Sequence, residues 1–249
     1  MDDAHYLITG GSSGIGLAIA CLLHEKGAHV HISGRDNTRL AQAQTQIGSK
    51  CYTYQGDMAE ASARHAIMQD LVSTSGGRLD GLILNAAKYG FCNLLEMETE
   101  EVNAYFQLNL MASHHLVRLA HPLLLKGVGK SILTISSTLG ARPIAGTGAY
   151  SASKAALNML TRSFALELAP DKIRVNSILP GVVDTPIHEP QRPADPERTQ
   201  KMKDLAPMHP LGRVGCPEDI ARSAWFLLSP EAAWVTGSLF FVDGGISLV

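Results

Sequence analysis

The chain has 249 residues, 45% of them hydrophobic and 18% charged, with a formal net charge of −2. That size and composition fit one soluble globular domain with a sizeable core. The near-neutral balance gives no global pull toward nucleic acid or a membrane surface. The four cysteines, Cys21, Cys51, Cys92 and Cys216, form no C-x-x-C pair. This argues against a metal site or disulfide framework and for a reducing, cytoplasmic setting. The acidic start, Met1-Asp2-Asp3, has neither the basic region nor the apolar stretch of a signal peptide. No apolar run reaches the 18 or so residues that span a bilayer.

Strand-like apolar runs alternate with segments of helical period. Residues 6–9 read as a strand and 14–26 as a helix, followed by a strand over 29–33, a helix over 37–47 and a short strand over 51–54. A helix over 60–73 leads to the strand 81–85, and a long helix begins near Thr99, with Glu100 and Glu101 in its first turn, where the helix dipole favours carboxylates. Residues 131–136 are a strand, 149–168 a helix, 173–179 a strand, 217–228 a helix and 238–242 a last strand. Regular βα alternation predicts an α/β fold: a single-domain, doubly wound parallel sheet of about seven strands, with helices on both faces. The proline-rich stretch 180–215 breaks the rhythm. It is too long for an ordinary connection and reads as a substrate loop or lid over about 186–210 within one domain, 1–249.

Thr9-Gly10-Gly11-Ser12-Ser13-Gly14-Ile15-Gly16 lies between the first strand and the first helix. Glycines there permit a tight turn and close approach of backbone to a pyrophosphate, whose charge the helix N-terminus stabilises. At the end of the second strand, Gly34 stands where an acidic residue would select a free ribose 2′-hydroxyl, and Arg35 follows. The forked donors of Arg35 suit a 2′-phosphate, so NADP(H) is favoured. Asp36 keeps NAD(H) possible, since it could reach the ribose instead.

Tyr150 and Lys154 are four residues apart on a predicted helix, hence one turn apart on one face. An ammonium beside a phenol favours the phenolate and would lower its pKa toward the range useful for proton transfer. Ser137 lies at the carboxyl end of a central strand, where open α/β sheets bind ligands. Asn109 is a poor helix former in mid-helix.

These features resemble the short-chain dehydrogenase/reductase family over nearly the whole chain. Thr9-Gly10-x-x-x-Gly14-x-Gly16, with Ser12, Ser13 and Ile15, looks like its cofactor loop. Asp57 and Met58 look like the adenine contact, and Asn85-Ala86-Ala87 like the N-A-G segment. Ala87 and Leu84 depart from the family's N-N-A-G without touching a reacting group. Pro180, Gly181, Val183 and Thr185 look like the nicotinamide-holding motif.

The resemblance implies a catalytic set of Asn109, Ser137, Tyr150 and Lys154. Tyr150 would act as general acid/base, Lys154 would bond the nicotinamide ribose and Ser137 would donate to the oxyanion. Asn109 would join a water-mediated relay to Lys154. It further implies interconversion of a secondary alcohol and a ketone and a homotetramer or homodimer built on the helices of Asn109 and Tyr150 and on the apolar end 239–249. A cofactor-binding regulatory protein without turnover is an alternative.

Residues 137–140, 144–147, Val182 and the 186–210 loop are expected to line a pocket for a small carbonyl or alcohol. His114 and His115 are expected on a helix surface or subunit contact. His188, Arg192, Arg198, Lys201 and Lys203 are read as solvated loop residues that could meet substrate.

Overall fold

The computed structural model describes residues 2–188 and 196–249. Seven strands form one parallel sheet: β1 (His5–Thr9), β2 (His29–Gly34), β3 (Cys51–Gln55), β4 (Gly81–Leu84), β5 (Ser131–Ile135), β6 (Arg174–Pro180) and β7 (Leu239–Val242). Their order is β3-β2-β1-β4-β5-β6-β7, and every neighbouring pair is parallel. The order reverses between β1 and β4, and a crevice opens there at the strands' carboxyl ends.

Side chains alternate between two cores, as the period of a strand requires. Ile8, Ile83, Leu133 and Ile178 face one core. Leu7, Leu82, Ile132 and Val175 face the other. Helices α1 (Gly14–Glu25), α2 (Asn37–Ile47) and α8 (Pro217–Leu228) cover the first face. The second is covered by α3 (Ala61–Ser75), α5 (Ala112–Leu124) and α6 (Gly148–Glu167). With both faces covered, β4 and β5 are buried along their whole lengths, which is why they read as continuous apolar runs.

Two elements differ from expectation. The long helix is three pieces: α4 (Thr99–Phe106), a π-turn over Gln107–Met111, and α5. The wider i→i+5 turn carries Asn109 at its middle and turns that side chain inward, where it is buried. The proline-rich stretch is not loop throughout, because α7 (Pro196–Leu205) forms within it, opening on a proline that suits the first helical turn. The expected loop residues Pro190, Arg192 and Pro193 lie outside the described residues, as do the side chains of His188, Arg198 and Lys201.

Candidate active site

The glycine loop is built against the end of β4. Asn85 Nδ2 donates to the carbonyls of Thr9 and Gly10, both at 3.0 Å. The Thr9 hydroxyl accepts from the backbone of Asn85 and Ala86 at 3.0 and 3.1 Å. Gly10 has φ +65°, which L side chains rarely adopt, and a Cβ on Gly16 would run into the Gly10 carbonyl. Ser13 precedes α1 with extended backbone and no side-chain cap bond, and no acid sits in the first turn of α1. The first-turn N–H groups there, from Ser13 to Gly16, are oriented to hold an anion, and the dipole favours one. The donor set fits a pyrophosphate.

At the end of β2, a Cβ on Gly34 would approach Ser12 Oγ to 3.0 Å. Asp36 caps α2, accepting from Arg39 N at 3.1 Å. Arg35 is 78% exposed, 4.0 Å from the Asp57 carboxylate, with its carbonyl held by Gln55 Nε2 at 3.1 Å. Asp57 closes a turn onto Ala59 N at 2.9 Å. Met58 is buried, and its carbonyl accepts from the Arg64 guanidinium.

The expected catalytic residues converge beside the same crevice. Ser137 follows β5, accepts from Leu139 N at 3.1 Å and is hydrogen-bonded through its side chain to Tyr150. Gly140 lets this turn close on α6, since a Cβ there would meet the Lys154 carbonyl carbon at 2.9 Å. Lys154 is buried and its Nζ donates to the Ile135 carbonyl at 2.7 Å.

The electrostatics differ from the expected pairing. Burial is the main influence on Tyr150 and pushes its phenol above the ordinary range, with the Ser137 hydrogen bond working the other way. Burial alone lowers Lys154 to about 7. Burial, rather than proximity to Lys154, dominates the Tyr150 phenol. Helical spacing gave their proximity but not the desolvation that reverses the sign.

Asn109 does not reach Lys154 directly. Its Oδ1 accepts from Lys88 N at 2.8 Å, and its Nδ2 donates to Lys88 O at 3.0 Å and Ser153 Oγ at 2.9 Å. Ser153 Oγ donates in turn to the Tyr150 carbonyl at 2.7 Å. Asn109 thus ties the segment after β4 to the helix carrying Tyr150 and Lys154.

The segment after β6 closes the site. Gly181 passes so close to Asp243 that a Cβ would meet its backbone at 2.9 Å. Buried Val183 forms a parallel bridge with Gly215, and Thr185 is buried against Gly14 at the start of α1, 3.2 Å from where a Cβ would stand.

A family model described as enoyl-(acyl carrier protein) reductase matches residues 10–247. The chain belongs to the short-chain dehydrogenase/reductase family. A tropinone reductase homolog from Arabidopsis thaliana is 36% identical over 247 residues, covering 97% of this chain and 90% of its own length. One from Datura stramonium is 33% identical over 245 residues, covering 97% and 91%.

Among solved structures, a 3-ketoacyl-(acyl-carrier-protein) reductase from Brucella melitensis complexed with NADH superposes with a TM-score of 0.87 at 30% identity, over 99% of both chains. An NADPH-bound short-chain oxidoreductase from Pseudomonas aeruginosa with an atypical catalytic centre gives 0.91 at 34% identity, over 99% of this chain and 98% of that one. This chain is accordingly a nicotinamide-dependent short-chain dehydrogenase/reductase enzyme.

Two participants were not read from the sequence of this short-chain enzyme. Ser153 joins Asn109 to Tyr150, and only the π-turn brings Asn109 to it. Tyr89 stands edge-on to Tyr150, with ring centroids 4.9 Å apart and planes at 85°. No motif spacing marks it. The nearest signal is its place just past Asn85-Ala86-Ala87, at the carboxyl end of a central strand. Elsewhere, His115 accepts from Arg64 Nε at 2.9 Å, while His114 stacks on Phe164 at 6.0 Å. Both are half-buried helix contacts, and neither lies in a metal cluster among the described residues.

Proposed function

We propose that the enzyme interconverts a secondary alcohol and a ketone, with NADP(H) preferred and Tyr150 as general acid/base. The supporting observation is the convergence of Ser137, Tyr150 and Lys154 at the carboxyl end of β5, beside a glycine loop suited to a pyrophosphate.

When bound, the nicotinamide supplies or accepts the hydride. The chain's own residues handle the proton and the geometry. Burial keeps Tyr150 protonated at neutral pH, so its hydroxyl can give a proton to a carbonyl oxygen as that oxygen gains charge. The Ser137 hydroxyl donates to the same oxygen and stabilises the developing anion. Lys154 near its titration point can return a proton toward Tyr150 after turnover. In the alcohol-oxidising direction the roles reverse. Asn109 and Ser153 hold the helix of Tyr150 in register with the segment after β4.

The NADP(H) preference is supported by Asp36 being engaged at the α2 N-cap while Arg35 stays exposed at the adenosine end. Gly10, Ser12, Ser13, Gly14, Ile15 and Gly16 would hold the pyrophosphate. Asp57, Met58, Asn85, Ala86 and Ala87 would line the adenosine side, and Pro180, Gly181, Val183 and Thr185 the nicotinamide side.

The chain is read as one catalytic domain with a substrate loop over about 186–210. It is read as a homotetramer or homodimer, supported by exposed Phe240 and Phe241 on edge strand β7. A cytoplasmic setting is supported by four free cysteines, and no described helix is long and apolar enough to cross a membrane.

The deciding experiment follows NADPH and NADH absorbance in parallel across a panel of ketones and alcohols. Turnover with NADPH ahead of NADH supports the proposal. Tight NADPH binding with no turnover across the panel, by freshly folded protein, would count against it.

A further inference from the structure

The segment after β4 carries an aromatic corner that the catalytic motifs do not use. Tyr89 stands perpendicular to Tyr150, and Phe91 stands edge-on to Tyr89, with centroids 5.9 Å apart and planes at 89°. Two glycines fasten this corner to the loop that enters α6. A Cβ on Gly146 would come within 2.8 Å of Phe91 Cδ1, and one on Gly148 would run into the Leu94 side chain. Cys92 N adds a hydrogen bond to the Gly146 carbonyl at 2.8 Å. Tyr89 and Leu139 pack on the small cluster formed by Tyr105, Ala149 and Tyr150, while Phe91 stays exposed above it. The neighbouring cation is engaged elsewhere: Lys88 Nζ lies 4.9 Å from the centre of the Tyr105 ring.

Resting on the oxidoreductase reading above, we propose that Tyr89 is a specificity-determining wall of the substrate pocket and selects ketones, and the matching alcohols, whose reacting carbon bears an aromatic ring. A carbonyl oxygen within hydrogen-bond reach of the Tyr150 hydroxyl places its substituents beside the ring that stands perpendicular to Tyr150. An aryl ring conjugated to its carbonyl is flat. In a corner of two perpendicular rings it lies offset on one and edge-on to the other, the two arrangements that ring quadrupoles favour. A puckered saturated ring of the same size fits neither face closely. Among the described residues the rim offers apolar and aromatic surface, which suits an uncharged group.

The test compares 1-tetralone with 1-decalone, bicyclic ketones of similar size of which only the first has an aromatic ring. Binding of each to the NADP⁺-loaded protein, which cannot reduce a ketone, is measured by calorimetry, and turnover by NADPH absorbance. Wild type is expected to bind 1-tetralone roughly two- to tenfold more tightly, the span of an aromatic pair contribution. Tyr89→Leu is expected to bring the ratio within about twofold of unity, and Tyr89→Phe, which keeps the ring, to retain it.

Equal binding of the two ketones by wild type overturns the proposal, as does a preference that survives Tyr89→Leu. The wild-type comparison decides even if the leucine variant fails to fold. A binding preference without turnover supports the aryl wall and counts against the oxidoreductase reading. Turnover of both ketones without preference does the reverse.

Discussion

The Lys154 side-chain nitrogen donates to the Ile135 carbonyl at 2.7 Å and lies 5.8 Å from the centre of the Tyr150 ring. The lysine is thus anchored to the end of β5, and its burial disfavours the charged form. The folded-state pKa, about 7, is below the ordinary lysine value of 10.5. Between those two values the unfolded chain binds more protons than the folded one, so stability attributable to this group rises with pH across that window. Tyr150 is raised and works in the opposite sense only above about pH 10. The expected outcome is that wild type gains about 2 kcal/mol relative to Lys154→Met between pH 7 and 9. Urea unfolding at the two pH values measures it. A difference that does not change with pH would show that burial does not lower Lys154.

Tyr150→Phe keeps the ring, its contact with Tyr89 and its packing under Ala149, and removes only the hydroxyl. If Tyr150 is the proton donor, turnover should fall by about 10²–10⁴-fold, the usual contribution of general acid–base catalysis. NADPH affinity should change far less. Steady-state kinetics with fluorescence titration of NADPH separates the two, and activity surviving within about tenfold would remove Tyr150 from that role.

Arg35 and Asp36 are adjacent but have different surroundings. Asp36 caps α2 through Arg39 N, so Asp36→Ala should cost about 0.5–2 kcal/mol of stability and leave the ratio of NADPH to NADH affinity where it was. Arg35 is exposed, and its partner Asp57 is 4.0 Å away, so Arg35→Ala should scarcely affect stability. Its expected effect is to weaken NADPH much more than NADH. Thermal unfolding and parallel titrations of both variants check this. An Asp36→Ala variant that shifts cofactor preference, or an Arg35→Ala variant that weakens both cofactors equally, would reverse the assignment.

Asn85 is the joint between β4 and the glycine loop. Asn85→Ala would leave the carbonyls of Thr9 and Gly10 without the donor they now share. Loss of such bonds near the crevice should cost about 1–3 kcal/mol. Because the loop they position is the one suited to a pyrophosphate, affinity for both nicotinamide cofactors should fall together. Denaturation midpoints and NADPH and NADH titrations measure this. A stability loss with intact affinity would make Asn85 a purely structural residue.

Much of this was legible in the chain because the features are local. Continuous apolar runs such as Gly81–Leu84 and Ser131–Ile135 betray strands buried on both faces. The glycine loop betrays its turn through Gly10, whose φ is positive, and Gly16, where a side chain has no space. The four-residue spacing of Tyr150 and Lys154 fixed their shared helix face. What was not legible depends on the third dimension. One wide turn over Gln107–Met111 directs Asn109 to Lys88 and Ser153, and no residue type announces a π-turn. Desolvation set the protonation of Lys154 and Tyr150 against the pairwise expectation. Tyr89 stands beside Tyr150 in a segment that Gly146 and Gly148 let pack, through Phe91 and Leu94, against the entry to α6.

A polar network inside the sheet gives a further prediction, at a distance from the crevice. His31 on β2 is fully buried, with Nδ1 2.8 Å from the Tyr54 hydroxyl and Nε2 3.0 Å from His5 Nδ1. Tyr54 continues to Thr74 Oγ1 at 2.6 Å. Burial, reinforced by His5 and His29, lowers His31 to about 3, well below the ordinary imidazole value. From pH 6.5 down to about 3 the unfolded chain therefore takes up a proton that folded His31 resists, and stability falls as pH falls through that window. His5 is lowered for the same main reason and contributes in the same direction. His31→Phe keeps a flat ring between Tyr52 and Tyr54 but cannot titrate. It should be less stable than wild type at pH 7, having taken from His5 Nδ1 its ring partner and left the Tyr54 hydroxyl with Thr74 alone. Its stability should also decline less steeply, with the gap to wild type closing by about 2 kcal/mol between pH 6.5 and 4.5. Chemical denaturation at a series of pH values follows that gap, and parallel decline of the two proteins would mean that His31 takes up its proton in the folded state.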